Sequence, residues 1–162
     1  MSTPIIPDPE MRKHSLSCLQ YANGFFTAFQ KSLYNKNTRF DNDLLYDFAV
    51  LSHEKYFVAL MARYDWHASH HMPIALYKEA LEFDPELTES MKQTSILVGK
   101  FEAICSLEGF GYRTPSTADL QAMETGIQEI KELVEKRAAE IKKAFSVMSS
   151  VFSVPCSVLI VQ

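Results

Sequence analysis

The residues best suited to chemistry lie between positions 63 and 72, where the sequence reads RYDWHASHHM. This stretch contains three histidines, one aspartate, one arginine and the only tryptophan of the chain. Imidazole can bind a metal or move a proton near neutral pH, and arginine can hold a phosphate through two hydrogen bonds. The stretch therefore has three interpretations: a metal site, an acid–base centre, or a histidine-rich loop.

A metal site here would use Asp65, His67, His70 and His71. His67 and His71 have the H-x3-H spacing that one helical turn brings together, and zinc takes three or four such ligands. No second half-site such as CxxC or HExxH accompanies them. The histidine-rich loop is therefore favoured, and a metal held by His67, His71 and Asp65 is the alternative.

Arg63 and His70 are the candidates for catalysis. His70 would transfer a proton, while Arg63 would stabilise the charge that develops on a phosphate. In the other interpretation His70 or His71 begins a helix, and Arg63 ends the preceding helix, where its positive charge interacts favourably with the helix dipole. The residue types alone leave both interpretations open.

Glu54 and Lys55 are charged residues within an otherwise apolar predicted helix. At least one of them must lie near the core and needs a partner, because an unpaired buried charge is costly. We expect His53 and Lys100 in the same polar cluster. The cluster is either a structural salt bridge or the anchor of a nucleotide phosphate, with Arg113 closing the site from a loop.

Four long helices and one short helix are predicted to position these residues, because apolar side chains recur at steps of three, four and seven. The predicted ranges are 9–34, 41–63, 73–83, 84–107 and about 30 residues after 116. Their start signals are Asp8, Asp41, Pro73, Asp84 and Ser116. The predicted fold is an all-α, antiparallel, up-and-down bundle of four or five helices.

The length of 162 residues suits one domain, and a hydrophobic content of 47% is enough for a core. We expect an extended lead at 1–8, a helical bundle at 9–150 and an apolar arm at 151–162. The net charge is −4 at pH 7, with both signs mixed along the chain. This balance argues against broad binding to duplex nucleic acid, although a local basic patch could hold a small phosphate ligand.

Targeting signals and cysteine pairs are not evident. The N-terminus lacks the basic and apolar segments of a secretory signal, and no apolar run approaches the roughly 18 residues of a membrane span. The three cysteines stand far apart, as in a reduced cytosolic protein. We expect a cytoplasmic protein without a membrane anchor and without a cofactor.

Three stretches, in this order, resemble HEPN domains, the helical bundles named for higher eukaryotes and prokaryotes nucleotide-binding. The first, DFAVLSHEKYFVALM, is similar to their Glu-Lys helix, and HHMPIALYKEAL to the entry of their short third helix. The third, GYRTPSTADLQAMETGIQEIKELVEK, looks like the loop that leads into their long final helix. The resemblance covers about residues 15–140.

The resemblance implies a HEPN-like bundle that forms a homodimer, or a heteromer with a small nucleotidyltransferase, in a toxin–antitoxin or defence system. It also implies a site for a nucleotide or RNA phosphate, for which Glu54, Lys55, His71 and Arg113 are the candidate ligand-binding residues. We therefore expect a nucleotide- or RNA-phosphate-binding module.

Two alternatives remain open. Some HEPN members are metal-independent ribonucleases with an R-x(4–6)-H motif, which Arg63 and His70 match as a string, and no histidine follows His71. A metal-independent ribonuclease that uses Arg63 and His70 is therefore one alternative. The other is a non-enzymatic helical adaptor or dimerisation protein.

Overall fold

The computed structural model describes residues 7–101 and 113–151. Within these ranges the chain forms five helices and no strand, which confirms the predicted all-α class. The helices are α1 (Pro9–Leu33), α2 (Asn42–Ala62), α3 (Pro73–Leu81), α4 (Glu89–Gly99) and α5 (Thr117–Val151). α4 ends at Gly99, earlier than the predicted end at 107. Residues 1–6, 102–112 and 152–162 lie outside the described residues, so most of the predicted lead and nearly all of the apolar arm stay predictions.

The predicted starts of the first two helices are confirmed by their caps. An Asp8 carboxylate oxygen accepts from the backbone N–H of Glu10 at 2.9 Å. In the same way Asp41 accepts from the N–H of Leu44 at 2.9 Å. Each bond satisfies one of the backbone donors that a helix start leaves without an intrahelical acceptor.

The long last helix begins at a reciprocal cap between Ser116 and Asp119, as predicted. The Ser116 N–H donates to Asp119 Oδ2 at 2.9 Å, and the Asp119 N–H donates to Ser116 Oγ at 3.1 Å. With 35 residues, α5 is longer than the roughly 30 predicted. At a rise of about 1.5 Å per residue it extends over roughly 50 Å.

The predicted start of α4 at Asp84 is wrong. The helix begins at Glu89 and its cap is Thr88, whose hydroxyl accepts from the Met91 N–H at 3.2 Å. Asp84 is fully buried, and its carboxylate accepts from Arg137 at 2.7 and 2.9 Å. The carboxylate holds a distant arginine instead of starting the nearby helix.

The direction of α2 relative to α5 follows from contacts at both ends. Near the start of α2, the Asn42 side chain donates to the Pro115 carbonyl at 2.8 Å. At its end, Arg63 Nε donates to the Arg137 carbonyl at 3.2 Å. These two helices therefore run in the same direction.

The first helix runs against α5. Asn23 Nδ2 donates to Glu135 Oε1 at 3.1 Å, while Gln30, later in α1, donates to Glu124, which is earlier in α5. α1 therefore also runs against α2, to which a short link joins it, as neighbouring helices do in an up-and-down bundle.

The core is built around α2, which contacts all four other helices. Apolar periodicity predicts a stripe along this helix at Leu44, Leu45, Phe48, Leu51, Lys55, Val58 and Ala62. The prediction is wrong for several members, because Leu44 is exposed and Phe48, Leu51, Lys55 and Val58 are only partly buried. The fully buried side chains of α2 include Ala49, Tyr56, Phe57, Leu60 and Met61. None of the described helices is long and apolar enough to cross a membrane.

Candidate functional site

The histidine loop, residues 63–72, is fixed to α3 by one carboxylate. The indole N–H of Trp66 donates to Glu79 Oε1 at 2.7 Å, and the backbone N–H of Ser69 donates to the same atom at 3.0 Å. Glu79 therefore determines the path of the loop and the plane of the indole ring.

A second anchor joins the loop to the start of α1. Asp65 has a φ of 58°, a left-handed conformation that aspartate tolerates better than most residues. Its Oδ1 accepts from the backbone N–H of Asp8 at 2.7 Å. The carboxylate proposed for the alternative metal site is thus used in a backbone contact.

The three histidines of the loop have different neighbours. The ring centroid of His67 lies 5.9 Å from that of His14 on α1. His71 Nδ1 lies 3.4 Å from Glu54 Oε1, and His70 faces a groove beside α3. Among the described residues, no three histidine, cysteine, aspartate or glutamate side chains are close enough to hold a metal ion.

Arg63, the candidate catalytic arginine, is turned toward α5. It is only 8% exposed, and its Nη2 donates to Glu140 Oε2 at 3.1 Å. Its guanidinium carbon also lies 4.9 Å from the centre of the Tyr64 ring. Arg63 and His70 share no partner in the described part of the chain, so the structure assigns them to separate surroundings.

Five side chains meet at the seam between α1, α2 and the histidine loop, and we call them the seam cluster: His14, Cys18, Glu54, Lys55 and His71. Lys55 Nζ lies 3.1 Å from Glu54 Oε1, the oxygen that also lies near His71. Cys18 Sγ is 3.7 Å from His14 Nε2. The Glu54 side chain is 18% exposed, which confirms that one of the two charges lies near the core and has a partner.

The thiol of the seam cluster is not activated as a nucleophile. Burial raises the pKa of Cys18; nearby Lys55 lowers it, and Glu54 raises it. A raised pKa keeps the thiol protonated, whereas the thiolate is the reactive form. Sequence reasoning missed His14 and Cys18, although their i, i+4 spacing on one predicted helix was a usable signal.

The expected membership of His53 and Lys100 in this cluster is wrong. His53 is fully buried, and its Nε2 lies 2.8 Å from Ser95 Oγ on α4. Lys100 is exposed, with its Nζ 5.7 Å from the centre of the Phe101 ring. Successive helical residues point about 100° apart, which turns His53 toward α4 and away from the Glu54 carboxylate.

Arg113 precedes α5 by four residues, and its Nη2 is 3.5 Å from Asp119 Oδ2 in the first turn of that helix. This end of α5 is close to Asn42, which donates to the Pro115 carbonyl. Lys55 follows Asn42 by 13 residues along α2. At about 1.5 Å per residue this is an axial separation of roughly 20 Å, so Arg113 and the seam cluster occupy different levels of the bundle.

Two surface grooves accompany these clusters. The Trp66 groove has a volume of about 320 Å³, and its described lining consists of Trp66, His70, Ala75, Lys78, Glu79 and Glu82. The α1 groove has a volume of about 400 Å³, and its described lining consists of Pro9, Arg12, Lys13, Leu16, Ser17 and Gln20. Sequence reasoning missed both, although each helical lining set follows the 3.6-residue period.

No family model, curated protein or solved structure matches this chain in comparisons of sequence and structure.

Proposed function

We propose that this chain is a HEPN-like helical module that binds a nucleotide or RNA phosphate at the seam cluster. The observation that supports this proposal best is the meeting of Lys55 and His71 at one oxygen of Glu54, at 3.1 and 3.4 Å. Ammonium and imidazole groups are donors that phosphate oxygens accept from. Glu54 positions both donors for a ligand that is itself an acceptor.

Lys55 retains the capacity for such a ligand. An ammonium group has three N–H donors, and the contact with Glu54 uses one of them. The His71 side chain is 85% exposed, so its ring can turn toward a ligand without moving the backbone. Because the Glu54 carboxylate repels a phosphate, we expect the affinity for the phosphate ligand to be modest and to fall with added salt.

The resemblance to HEPN domains extends the proposal to the whole protein. It favours a cytoplasmic homodimer, or a complex with a nucleotidyltransferase-type partner, in a toxin–antitoxin or defence system. Lys55 and His71 would bind the phosphate, and Glu54 would position them. Arg113, at another level of the bundle, would then contact a more distant part of a long ligand such as RNA.

A thermal-shift titration with ATP, GTP and inorganic phosphate tests the proposal. A ligand that binds only the folded chain raises the melting temperature, and Lys55→Ala should remove that rise. Lys131→Ala is the matched control, since Lys131 also pairs with a carboxylate, Glu135, on a helix surface at 2.7 Å. Ligand stabilisation should survive in the control.

Two results would count against this site. If Lys13→Ala removes the stabilisation and Lys55→Ala does not, the phosphate is held in the α1 groove. If no ligand stabilises the wild-type chain, the non-enzymatic adaptor becomes the better account.

A metal-independent ribonuclease is the alternative, because His70 is exposed beside Lys78 in the Trp66 groove. RNA cleavage in EDTA that His70→Ala abolishes, at an unchanged melting temperature, would support it. Arg63→Ala is less informative, since Arg63 also holds Glu140 and a loss of activity could reflect a loss of stability. A wild-type dimer that does not cleave RNA would exclude this alternative.

A further inference from the structure

The Trp66 groove contains an aromatic side chain that is both exposed and fixed. Trp66 is 44% exposed, yet its N–H is bound to Glu79 and its ring lies 5.3 Å from the Phe83 ring. A ring that is already ordered loses little entropy when a ligand stacks on it. Trp66 therefore provides a prepared surface for a ligand with a flat or charged head.

The charges around this ring favour a cation. Glu79 and Glu82 line the groove with Lys78, which leaves one negative charge in excess. Burial alone would raise the pKa of Glu79, but hydrogen bonds from Trp66 and Ser69 hold it below its ordinary value. Glu79 is thus charged at neutral pH, and Glu82, which is exposed, is accessible to a ligand.

The groove also has room for a small molecule. Ala75 lies one helical turn before Glu79, and its short side chain leaves a depression on that face of α3. The volume of about 320 Å³ is near the lower end of the sizes of ligand sites, which are roughly 300 to 1,000 Å³. A guanidinium group on a short chain suits this space.

We infer that the Trp66 groove binds a small organic cation with a guanidinium head. The planar head would stack on the indole ring, whose face attracts cations, and donate hydrogen bonds to the Glu82 carboxylate. A phosphate ligand is disfavoured here by the excess negative charge. The inference is independent of the phosphate site proposed at the seam cluster.

The single tryptophan makes the test direct, because all tryptophan emission of the chain comes from Trp66. Full-length protein is titrated with agmatine at constant ionic strength, and emission is recorded; AMP is the anionic comparison. We expect a saturable change with agmatine and none with AMP.

Three variants test whether the charged side chains of the groove determine the affinity for agmatine. Glu82→Gln should weaken agmatine binding by about threefold or more, as expected for the loss of one surface ion pair. Lys78→Gln should strengthen it, because a competing cation is removed. Glu132→Gln, which alters an exposed carboxylate on α5, should leave the affinity unchanged.

The inference is overturned by any of three results. These are a change that rises linearly with agmatine without saturation, equal affinity in wild type and Glu82→Gln, or saturable binding of AMP in place of agmatine. Glu82 is exposed and the described structure gives it no ion pair, so the variant should fold normally. Its melting temperature verifies this.

Discussion

The imidazole of His53 lies inside the bundle, between α2 and α4. The Ser95 hydroxyl donates to the Met91 carbonyl at 3.0 Å, so His53 Nε2 must be the protonated nitrogen that donates to Ser95 Oγ. Its Nδ1 is buried, with no hydrogen-bond partner among the residues that the structure describes. Burial lowers the pKa of His53 from 6.5 to about 3, so the folded chain holds this ring neutral.

A loss of stability in mild acid follows from His53. Its pKa is depressed in the folded chain, so its contribution to stability is fully present above pH 6.5 and declines as the pH falls toward about 3. As the pH falls, this histidine is protonated in the unfolded chain before it is protonated in the folded chain. The free energy of unfolding therefore decreases by up to about 1.4 kcal/mol per pH unit. Urea denaturation at pH values from 7 to 4.5 measures this dependence.

His53→Gln is the informative variant, because its amide can still donate to Ser95 but does not titrate. It should be less stable than wild type at pH 7 and show a shallower pH dependence. If the free energy of unfolding depends on pH equally in the two proteins, a group other than His53 takes up the proton.

The histidine loop shows what residue types alone can predict. Its composition indicates chemistry, but the loop is held to α3 through Trp66 and Ser69 by Glu79, which follows His71 by eight residues. A carboxylate on the next helix cannot be assigned to the Trp66 indole from spacing alone. The prediction that Glu54 or Lys55 lies near the core with a partner is confirmed, because a buried charge requires a partner whatever the fold.

At the scale of elements, α5 packs tightly against Thr94 of α4 at Gly126. A Cβ added there would lie 1.9 Å from Thr94 Oγ1 and 2.7 Å from its Cγ2. Thr94 cannot easily yield, since its hydroxyl donates to the Ser90 carbonyl at 3.0 Å. The glycine is thus needed for this helix contact.

Gly126→Ala should destabilise the chain, because overpacking of this kind costs about 1 to 3 kcal/mol. The matched control is Gly24→Ala on α1, where an added Cβ meets nothing within 4 Å. That variant should gain up to about 1 kcal/mol from helix propensity. Thermal and urea denaturation distinguish the two, and a neutral Gly126→Ala would show that α4 and α5 can separate without cost.

Local signals predicted four of the five helix starts, but periodicity did not identify the buried face of α2. Asp8, Asp41 and Ser116 act through bonds to residues two or three positions away, and sequence spacing is sufficient to find such bonds. α2 is different because it is surrounded by other helices, so apolar residues occur on every side of it. Periodicity then no longer identifies one face.

The whole molecule is held together at one end by a charge network that sequence spacing could not reveal. Arg137 on α5 binds the fully buried Asp84, 53 positions away, at 2.7 and 2.9 Å. Tyr64 also donates to Asp84 at 3.0 Å, and Arg137 and Arg63 both bind Glu140. The network joins the end of α2, the link between α3 and α4, and α5.

These contacts keep the buried carboxylate charged. Burial alone would raise the pKa of Asp84, but the hydrogen bonds from Arg137, the Glu86 N–H and Tyr64 lower it. Charged Asp84 therefore stabilises the folded chain above pH 3.8, the ordinary pKa of aspartate. This stabilisation is lost as the pH falls below that value. The His53 effect begins at pH 6.5 and the Asp84 effect only below pH 3.8, so measurements above pH 3.8 separate the two.

Arg137→Met should therefore be among the most destabilising substitutions in the chain, by about 3 to 5 kcal/mol, because it leaves Asp84 buried without a counter-charge. The neighbouring Lys136→Met is the control: Lys136 binds exposed Glu86 at 2.7 Å, and loss of such a surface pair costs about 1 kcal/mol or less. Combining Arg137→Met with Asp84→Asn should recover part of the loss, since the buried charge is then gone. Urea denaturation at pH 7 measures all three variants, and equal destabilisation by Arg137→Met and Lys136→Met would contradict the role given to the buried pair.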